Sequence, residues 1–363
     1  MIKKIFSYVS IFMMMVLFLT ACGQANTENQ TNQSSPDQTV TENQLEVQEE
    51  SSQRETEAEE SQAAETEVES HQHTQKDISE IKVVEGKPVV TATTTFVSDM
   101  VKVLAGDFVE TQLIIPAGED PHLYETKPQD LEKLSQADLV IYHGLHFEGK
   151  MVDVLESLGY DLTRDFPASQ IGNMDQDGDL VVDPHFWFDI DLYKLAVDNA
   201  QNYLQALLPD NADTIAENAE NYKAELDTMI KECTEKMDSI PKESRFLITP
   251  HDAFNYFSRE FNIPVMAPQG ISTDSEVANK DIQNTVDFIV ENKVKAIFAE
   301  STTDPARMEK LKEACTAQGF DVEVVSGEGR ELFSDSLAPE GSDGDTFLTM
   351  FKHNVDLIVE NLK

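Results

Sequence analysis

Residues 245–271 read RFLITPHDAFNYFSREFNIPVMAPQGI, and this stretch contains the pattern that decides the fold. A short apolar run is followed by an amphipathic stretch and then by a second apolar run, which predicts a strand, a helix and a strand. The same alternation occurs along most of the chain from Lys87 onward. Strands that alternate with helices are typical of a parallel sheet covered on both faces. The sequence therefore predicts an α/β fold.

A long helical stretch separates two regions of this alternation. Residues 190–240 show no strand pattern, and from about residue 209 to Pro241 their apolar side chains are spaced by three, four or seven positions. These positions are Ile215, Tyr222, Leu226, Met229, Ile230, Cys233 and Met237. One apolar stripe on so long a helix indicates packing along a large surface. We predict two α/β lobes, 86–208 and 242–363, with the long helix 209–241 between them.

The first 22 residues, MIKKIFSYVSIFMMMVLFLTAC, have the organisation of a bacterial export signal. Lys3 and Lys4 precede an apolar run that is short for a membrane span of about 20 residues. The run ends in Leu-Thr-Ala-Cys, which matches a lipobox. The match implies removal of a signal peptide, residues 1–21, and attachment of a diacylglyceryl group to Cys22. Because two acyl chains suffice for stable anchoring, we predict a protein held at the outer face of the bacterial cell membrane. The alternative is a signal-anchor helix that ends by chance in a cysteine.

Residues 22–85 are rich in glutamate and nearly lack aromatic side chains, which predicts a disordered acidic tether. His71 and His73 lie in this tether, where they either bind metal weakly or are simply solvated. The whole chain has a formal net charge of −41, which argues against nucleic acid as a partner. Cys233 and Cys315 fall in predicted helices, and we predict that they are separate free thiols.

Three histidines and one aspartate follow predicted strands. His122 follows LIIPAGEDP, His185 follows DLVVDP, His251 follows RFLITP, and Asp335 follows the last strand. Ligands of open α/β sheets bind beyond the carboxyl ends of the strands, and a cation of the Zn²⁺ class takes about four nitrogen, oxygen or sulfur ligands. These residues lie about 60 to 85 positions apart, so only the tertiary fold can gather them. Spacing alone therefore does not distinguish histidines that bind a metal from histidines that only form hydrogen bonds.

The segments around these residues resemble the cluster A-I metal-binding proteins of ABC importers, the TroA/PsaA/ZnuA-like family. EDPHLYETKPQDLEKLSQADLVIYHGLHFEGKM, DPHFWFD and TPHDAFNYFSREF resemble the first three ligand segments of that family, and LFSDSLAPEGSDGDTFLTMFKHNVDLIVENL resembles the fourth. The resemblance extends from about residue 85 to the C-terminus. It implies two lobes joined by a rigid helix, with a metal ion in the cleft between them. His122, His185, His251 and Asp335 match the ligand positions.

The function that this resemblance implies is that of a monomeric, extracytoplasmic binding lipoprotein, not an enzyme. Such a protein captures a divalent metal and delivers it to an ABC permease. Three imidazoles and one carboxylate favour Zn²⁺. Mn²⁺ is the second candidate, because five-coordination becomes possible if Asp335 binds through both oxygens. His143, His146 and Glu300 are candidates to surround the ligands without binding the metal themselves.

Two other functions use the same features. A metal-dependent hydrolase would employ a similar ligand set, but four protein ligands close a tetrahedral site and leave no open position for a substrate. The sequence also lacks a Gly-x-Ser-x-Gly elbow and a His-Glu-x-x-His helix. A surface adhesin with this fold is the third possibility.

Overall fold

Four short parallel strands form the first sheet. The computed structural model describes residues 76–176 and 179–363. The strands are β1 (Val89–Ala92), β2 (Glu110–Leu113), β3 (Leu139–Tyr142) and β4 (Tyr160–Asp161). Their order in the sheet is β2-β1-β3-β4, and all three neighbouring pairs are parallel. The parallel arrangement predicted from the alternating pattern is therefore confirmed.

Three helices connect these strands: α1 (Thr95–Ala105), α2 (Pro128–Gln136) and α3 (Val152–Leu158). Helix α1 begins where the Thr94 side chain accepts a hydrogen bond from the backbone N–H of Val97. It ends at Gly106, whose φ of +47° favours glycine. Helices α1 and α2 were predicted from the sequence. Helix α3 and strand β4 were not, because seven and two residues are too few for a clear period.

A hairpin outside this sheet precedes the second candidate ligand. Strands β5 (Asn173–Gln176) and β6 (Asp179–Val182) pair antiparallel. We predicted DLVVDPH as a further strand of the parallel alternation, and this placement is wrong. Only two residues separate β5 from β6 in the sequence, and a connection that short can join antiparallel strands but not parallel ones.

Two long helices follow and form the centre of the molecule. They are α4 (Ile190–Leu207) and α5 (Ala212–Met237), and α5 has 26 residues, or about 39 Å at the usual rise. The apolar stripe of α5 is buried from Ile215 to Met237, as predicted, although Ile230 is only partly buried. Helix α5 packs against both α1 and α4.

The C-terminal half repeats the strand and helix alternation. Parallel pairs form between β7 (Leu247–Ile248) and β8 (Val265–Met266), and between β9 (Ala296–Phe298) and β10 (Glu323–Val325). The helices are α6 (Asn255–Phe261), α7 (Asn279–Asn292), α8 (Ala306–Ala317) and α9 (Phe347–Leu362). Helix α9 packs on α5, so α5 contacts helices from both halves of the sequence. The predicted α/β fold with parallel sheets and a long helix is confirmed.

The main apolar core is continuous through both halves. It includes side chains from the first sheet and from α4, α5, α6 and α9. Cys233 on α5 and Cys315 on α8 are buried and free, as predicted.

The predicted signal peptide 1–21, Cys22 and the tether as far as residue 75, with His71 and His73, lie outside the described residues. The last part of the predicted tether is described, and it contacts helix α3 and strand β4. Lys76 Nζ donates to the carbonyl of Leu158 at 3.1 Å, and the Tyr160 hydroxyl donates to the carbonyl of Asp77 at 3.3 Å. Contacts with the folded part thus begin before the boundary predicted at residue 86.

Candidate metal centre

Two Asp-Pro-His turns position the first two histidines. The carboxylate of Asp120 accepts a hydrogen bond from the backbone N–H of His122 at 2.9 Å. Asp183 accepts from the backbone N–H of His185 at 3.0 Å in the same way. The proline between each pair restricts the backbone, and an aspartate that bonds to the N–H two residues later forms a compact turn. The repeated tripeptide therefore sets the direction of both imidazoles.

The third histidine occupies a related turn in the C-terminal half. The Thr249 hydroxyl donates to the carbonyl of His251 at 2.9 Å across Pro250. His251 also pairs through its backbone with Gln269, which extends the parallel pairing of β7 and β8 by one bridge. His251 is thereby held at the carboxyl end of β7.

Four side chains from these segments meet at one point. A ligand atom from each of His122, His185, His251 and Asp335 lies within 4.8 Å of the others, and all four residues are buried. The ring centroids of His185 lie 5.5 Å from those of both His122 and His251. Asp335 reaches both neighbours, with Oδ1 at 3.4 Å from His185 Nε2 and Oδ2 at 3.2 Å from His251 Nε2.

The atoms that face one another in this group form no hydrogen bond of good geometry. The Nε2 atoms of the three histidines and both oxygens of Asp335 are buried and have no hydrogen-bond partner among the described residues. The ion-pair distances from Asp335 to His185 and His251 compensate these atoms only in part, so a cation that contacted all five would stabilise the group. Three imidazole nitrogens and a carboxylate are the donors that a divalent transition metal prefers.

Two further carboxylates orient the imidazoles from behind. Asp183 Oδ1 lies 2.7 Å from His185 Nδ1, and Glu300 Oε2 lies 2.5 Å from His251 Nδ1. A carboxylate at Nδ1 keeps the proton on that nitrogen and leaves the Nε2 lone pair for a metal. Sequence reasoning considered Glu300 but gave no such role to Asp183. The Asp-Pro-His tripeptide, which occurs twice in the sequence, was the pattern that could have pointed to a role for Asp183.

The histidines at positions 143 and 146 do not join the group. His143 is fully buried, with its ring centroid 4.6 Å from those of Phe147 and Phe186 and 4.7 Å from that of Trp187. Neither of its ring nitrogens has a hydrogen-bond partner among the described residues, and burial lowers its pKa well below the usual value. His146 is exposed and has a φ of +63°. Neither side chain is one of the four that converge, but His143 packs against Phe147 and Trp187, which in turn contact His122 and His185.

Burial and neighbouring carboxylates shift the pKa values of the three converging histidines in opposite directions. Burial lowers the pKa of His122 to about 3. Burial also disfavours the charged form of His185, but Asp183 and Asp335 outweigh it and raise the pKa to about 9. The pKa of His251 is likewise raised well above its usual value by its carboxylate neighbours, against the effect of burial. His185 is thus an imidazolium at neutral pH when no metal competes, and its Nε2 proton must leave before that nitrogen can bind a metal.

A glycine allows the backbone of His122 to approach the loop after β3. A Cβ atom at Gly149 would lie 2.3 Å from the carbonyl oxygen of His122, and the φ of +41° also favours glycine. Glu148 holds the same loop, because its carboxylate accepts hydrogen bonds from Thr93 Oγ1 at 2.6 Å and from the His143 backbone N–H at 2.5 Å. Phe147 then packs edge-on against the His122 ring at 5.1 Å. This loop forms one wall of the site.

Comparisons with known proteins identify the relatives of this chain. The family described as ZnuA, zinc-uptake complex component A, periplasmic, matches residues 90–361. The manganese-binding lipoprotein MntA of Bacillus subtilis is 36% identical over 277 residues, which are 76% of this chain and 89% of MntA. The zinc-binding protein TroA of Treponema pallidum is 35% identical over 298 residues, or 81% of this chain and 93% of TroA. A structure from a study of the metal-binding specificity of TroA superposes with a TM-score of 0.76 at 58% identity, and covers 77% of this chain and 100% of that one.

Proposed function

The chain belongs to the ZnuA family, and on this premise we propose that His122, His185, His251 and Asp335 are the ligands of the metal ion that it carries. The protein is the metal-binding component of an ABC importer, which captures Zn²⁺ or Mn²⁺ outside the cell membrane and delivers it for uptake. The observation that supports the ligand assignment is the convergence of five buried donor atoms, none of which forms a hydrogen bond of good geometry.

The alternative of a metal-dependent hydrolase is wrong. The relatives that cover most of this chain are named as metal-binding proteins and as substrate-binding lipoproteins of ABC transporters. The ligand set agrees with that role, because four protein ligands retain an ion without leaving a position for a catalytic water. The ion is cargo, so the protein is not an enzyme.

The choice of metal depends on how Asp335 binds. Three imidazoles favour Zn²⁺, which we propose as the first cargo, with Mn²⁺ next. Both oxygens of Asp335 face the histidines, at 3.4 Å and 3.2 Å, so the group offers up to five donors. A fifth donor suits Mn²⁺ better than a strict tetrahedron does. Relatives of similar identity are named for manganese and for zinc, so the name of a relative does not decide the cargo.

Metal loading tests the proposed function directly. We expect the purified, metal-stripped protein to take up about one equivalent of Zn²⁺ or Mn²⁺ and to retain it in a large excess of Mg²⁺ and Ca²⁺, since the donors are mostly nitrogen. Elemental analysis after gel filtration, with limiting Zn²⁺ and Mn²⁺ in competition, measures both stoichiometry and preference. No bound transition metal would contradict the proposed function.

We also propose the organisation of the whole protein. Residues 86–208 and 242–363 form the two lobes, with 209–241 as the joining helix, and each lobe contributes two ligands. The protein acts as a monomer and passes its ion to an ABC permease. Among the described residues, no helix has both the length and the apolar character that a bilayer span requires. Separately, the Leu-Thr-Ala-Cys sequence supports our assignment of membrane attachment to a lipid on Cys22.

Replacing Cys22 tests this anchor. In a bacterial host, the full-length protein is expected in the membrane fraction, and it should incorporate a fatty-acid label. The Cys22→Ser variant should lose the label, because the hydroxyl does not form the thioether, and without acyl chains it loses the stable anchor. Cys315→Ser is a matched control that should leave both localisation and labelling unchanged. Labelling of the Cys22→Ser variant would contradict the assignment.

A further inference from the structure

The segment that carries Asp335 has no helix or strand of its own. After the isolated bridge between Glu300 and Leu332, the residues from Phe333 to Pro339 belong to neither a helix nor a strand. Asp335 is nevertheless buried and presents both oxygens to the histidines. Side chains from other elements must therefore hold its backbone in place.

Asn354 on α9 holds this segment on one side. Its Oδ1 accepts a hydrogen bond from the backbone N–H of Phe333 at 2.9 Å, and its Nδ2 donates to the carbonyl of the same residue at 2.8 Å. The side-chain amide thus satisfies both backbone groups of Phe333, as a neighbouring strand would. Asn354 is fully buried, so these bonds are protected from competition by water. The pair fixes the backbone two residues before Asp335.

Trp187 holds the segment on the other side. Its indole N–H donates to the carbonyl of Ser334 at 3.0 Å, and it lies two residues after the ligand His185. The ring is packed against Phe96 and Phe147, with centroids 4.8 Å away in both cases, so the indole has little freedom to move. The hydrogen bond therefore joins the His185 turn directly to the residue before Asp335.

We propose that Asn354 and Trp187 are positioning residues that set how Asp335 meets the ion, and thereby the preference between Mn²⁺ and Zn²⁺. This inference rests on the proposed function. With Phe333 and Ser334 fixed, the Asp335 carboxylate faces the site with both oxygens. When the segment is released, the carboxylate can turn and bind through one oxygen. One carboxylate oxygen is enough to complete a tetrahedral Zn²⁺ site. Mn²⁺, which favours more oxygen donors, loses one of them.

The test compares the affinities of both metals in variants of Asn354. Asn354→Leu removes both hydrogen bonds to Phe333, and Asn354→Asp retains only an acceptor for the backbone N–H. We expect Asn354→Leu to weaken Mn²⁺ binding about tenfold more than Zn²⁺ binding, in the range typical of residues that support metal ligands, with a smaller effect for Asn354→Asp. Competition against chelating dyes measures both dissociation constants.

Controls separate positioning from general loss of packing. Val355→Ala removes buried volume at the next residue of α9, so it should lower the melting temperature and leave the Mn²⁺ to Zn²⁺ affinity ratio unchanged. Trp187→Phe retains a ring but removes the N–H donor, and it should shift the ratio in the same direction as Asn354→Leu. It provides an independent test if the Asn354 variants do not fold.

Equal loss of both metals, or an unchanged ratio in folded variants, would overturn the positioning role. The Asp335→Ala variant distinguishes that result from a failure of the proposed function. If Asp335→Ala binds metal as the wild type does, the ligand assignment itself is wrong. If Asp335→Ala loses metal while the Asn354 and Trp187 variants keep the wild-type ratio, only the present inference fails.

Discussion

Replacing His251 or Asp335 by alanine is expected to weaken Zn²⁺ binding by about 100-fold or more. If a full set of ligands supplies on the order of 10–16 kcal/mol, one of four supplies about 3 kcal/mol, and each 1.4 kcal/mol is a factor of ten. Both residues are fully buried and converge with His122 and His185, so no solvent-exposed side chain can easily replace them. Isothermal titration calorimetry or dye competition on the folded variants measures the loss.

Asp356→Ala is the control for these variants. Asp356 is an aspartate that pairs with a cationic side chain, Lys236, but it is exposed on α9 and lies outside the converging group. Its removal should leave metal affinity within about twofold of the wild type, since it offers no ligand atom to the site. Far-ultraviolet circular dichroism should show that the ligand variants keep their fold. Retention of wild-type affinity by both His251→Ala and Asp335→Ala would refute the site.

The sequence predicted the four residues that converge, but it did not predict correctly the secondary structure that precedes each of them. His251 follows a strand of a parallel pair, as the rule for ligands at strand ends requires. His185 was also selected by the strand-end rule, but the strand before it belongs to an antiparallel hairpin, so only the resemblance to a known family still supports its prediction as a ligand. Helix α3 and strand β4 escaped prediction because their short lengths leave no measurable period.

Contacts over long sequence separations were beyond the reach of pattern analysis. The hydrogen bond from Trp187 to Ser334 joins residues 147 positions apart, and neither local sequence contains a pattern that predicts it. The close approach of Gly149 to the His122 carbonyl could not be predicted either, because the contact that excludes a side chain at position 149 comes from another segment. Such contacts depend on how the elements pack, which local periodicity does not specify.

Metal affinity is expected to rise steeply with pH up to about pH 9. An imidazolium has no lone pair for a metal, so binding must displace the proton from each protonated ligand. The carboxylates beside His185 raise its pKa to about 9, and the pKa of His251 is also well above its usual value. Below these pKa values, affinity should fall about tenfold per pH unit for each proton displaced. The pKa of His122 is about 3, so this residue adds no proton between pH 6 and pH 9.

The metal-free protein should respond to pH in the opposite direction. A histidine whose pKa is raised in the folded state stabilises it below the unfolded value of about 6.5, and this contribution is lost as pH rises through the folded value. The melting temperature without metal should therefore fall between pH 6.5 and pH 9, while metal affinity increases. Asp183→Asn removes the carboxylate beside His185 Nδ1, at 2.7 Å, and should move the rise in affinity to lower pH. Calorimetry in buffers of different ionisation enthalpy counts the released protons directly. Affinity that is flat from pH 7 to pH 9 would show that His185 and His251 titrate as ordinary histidines, and that their carboxylate neighbours do not keep them protonated.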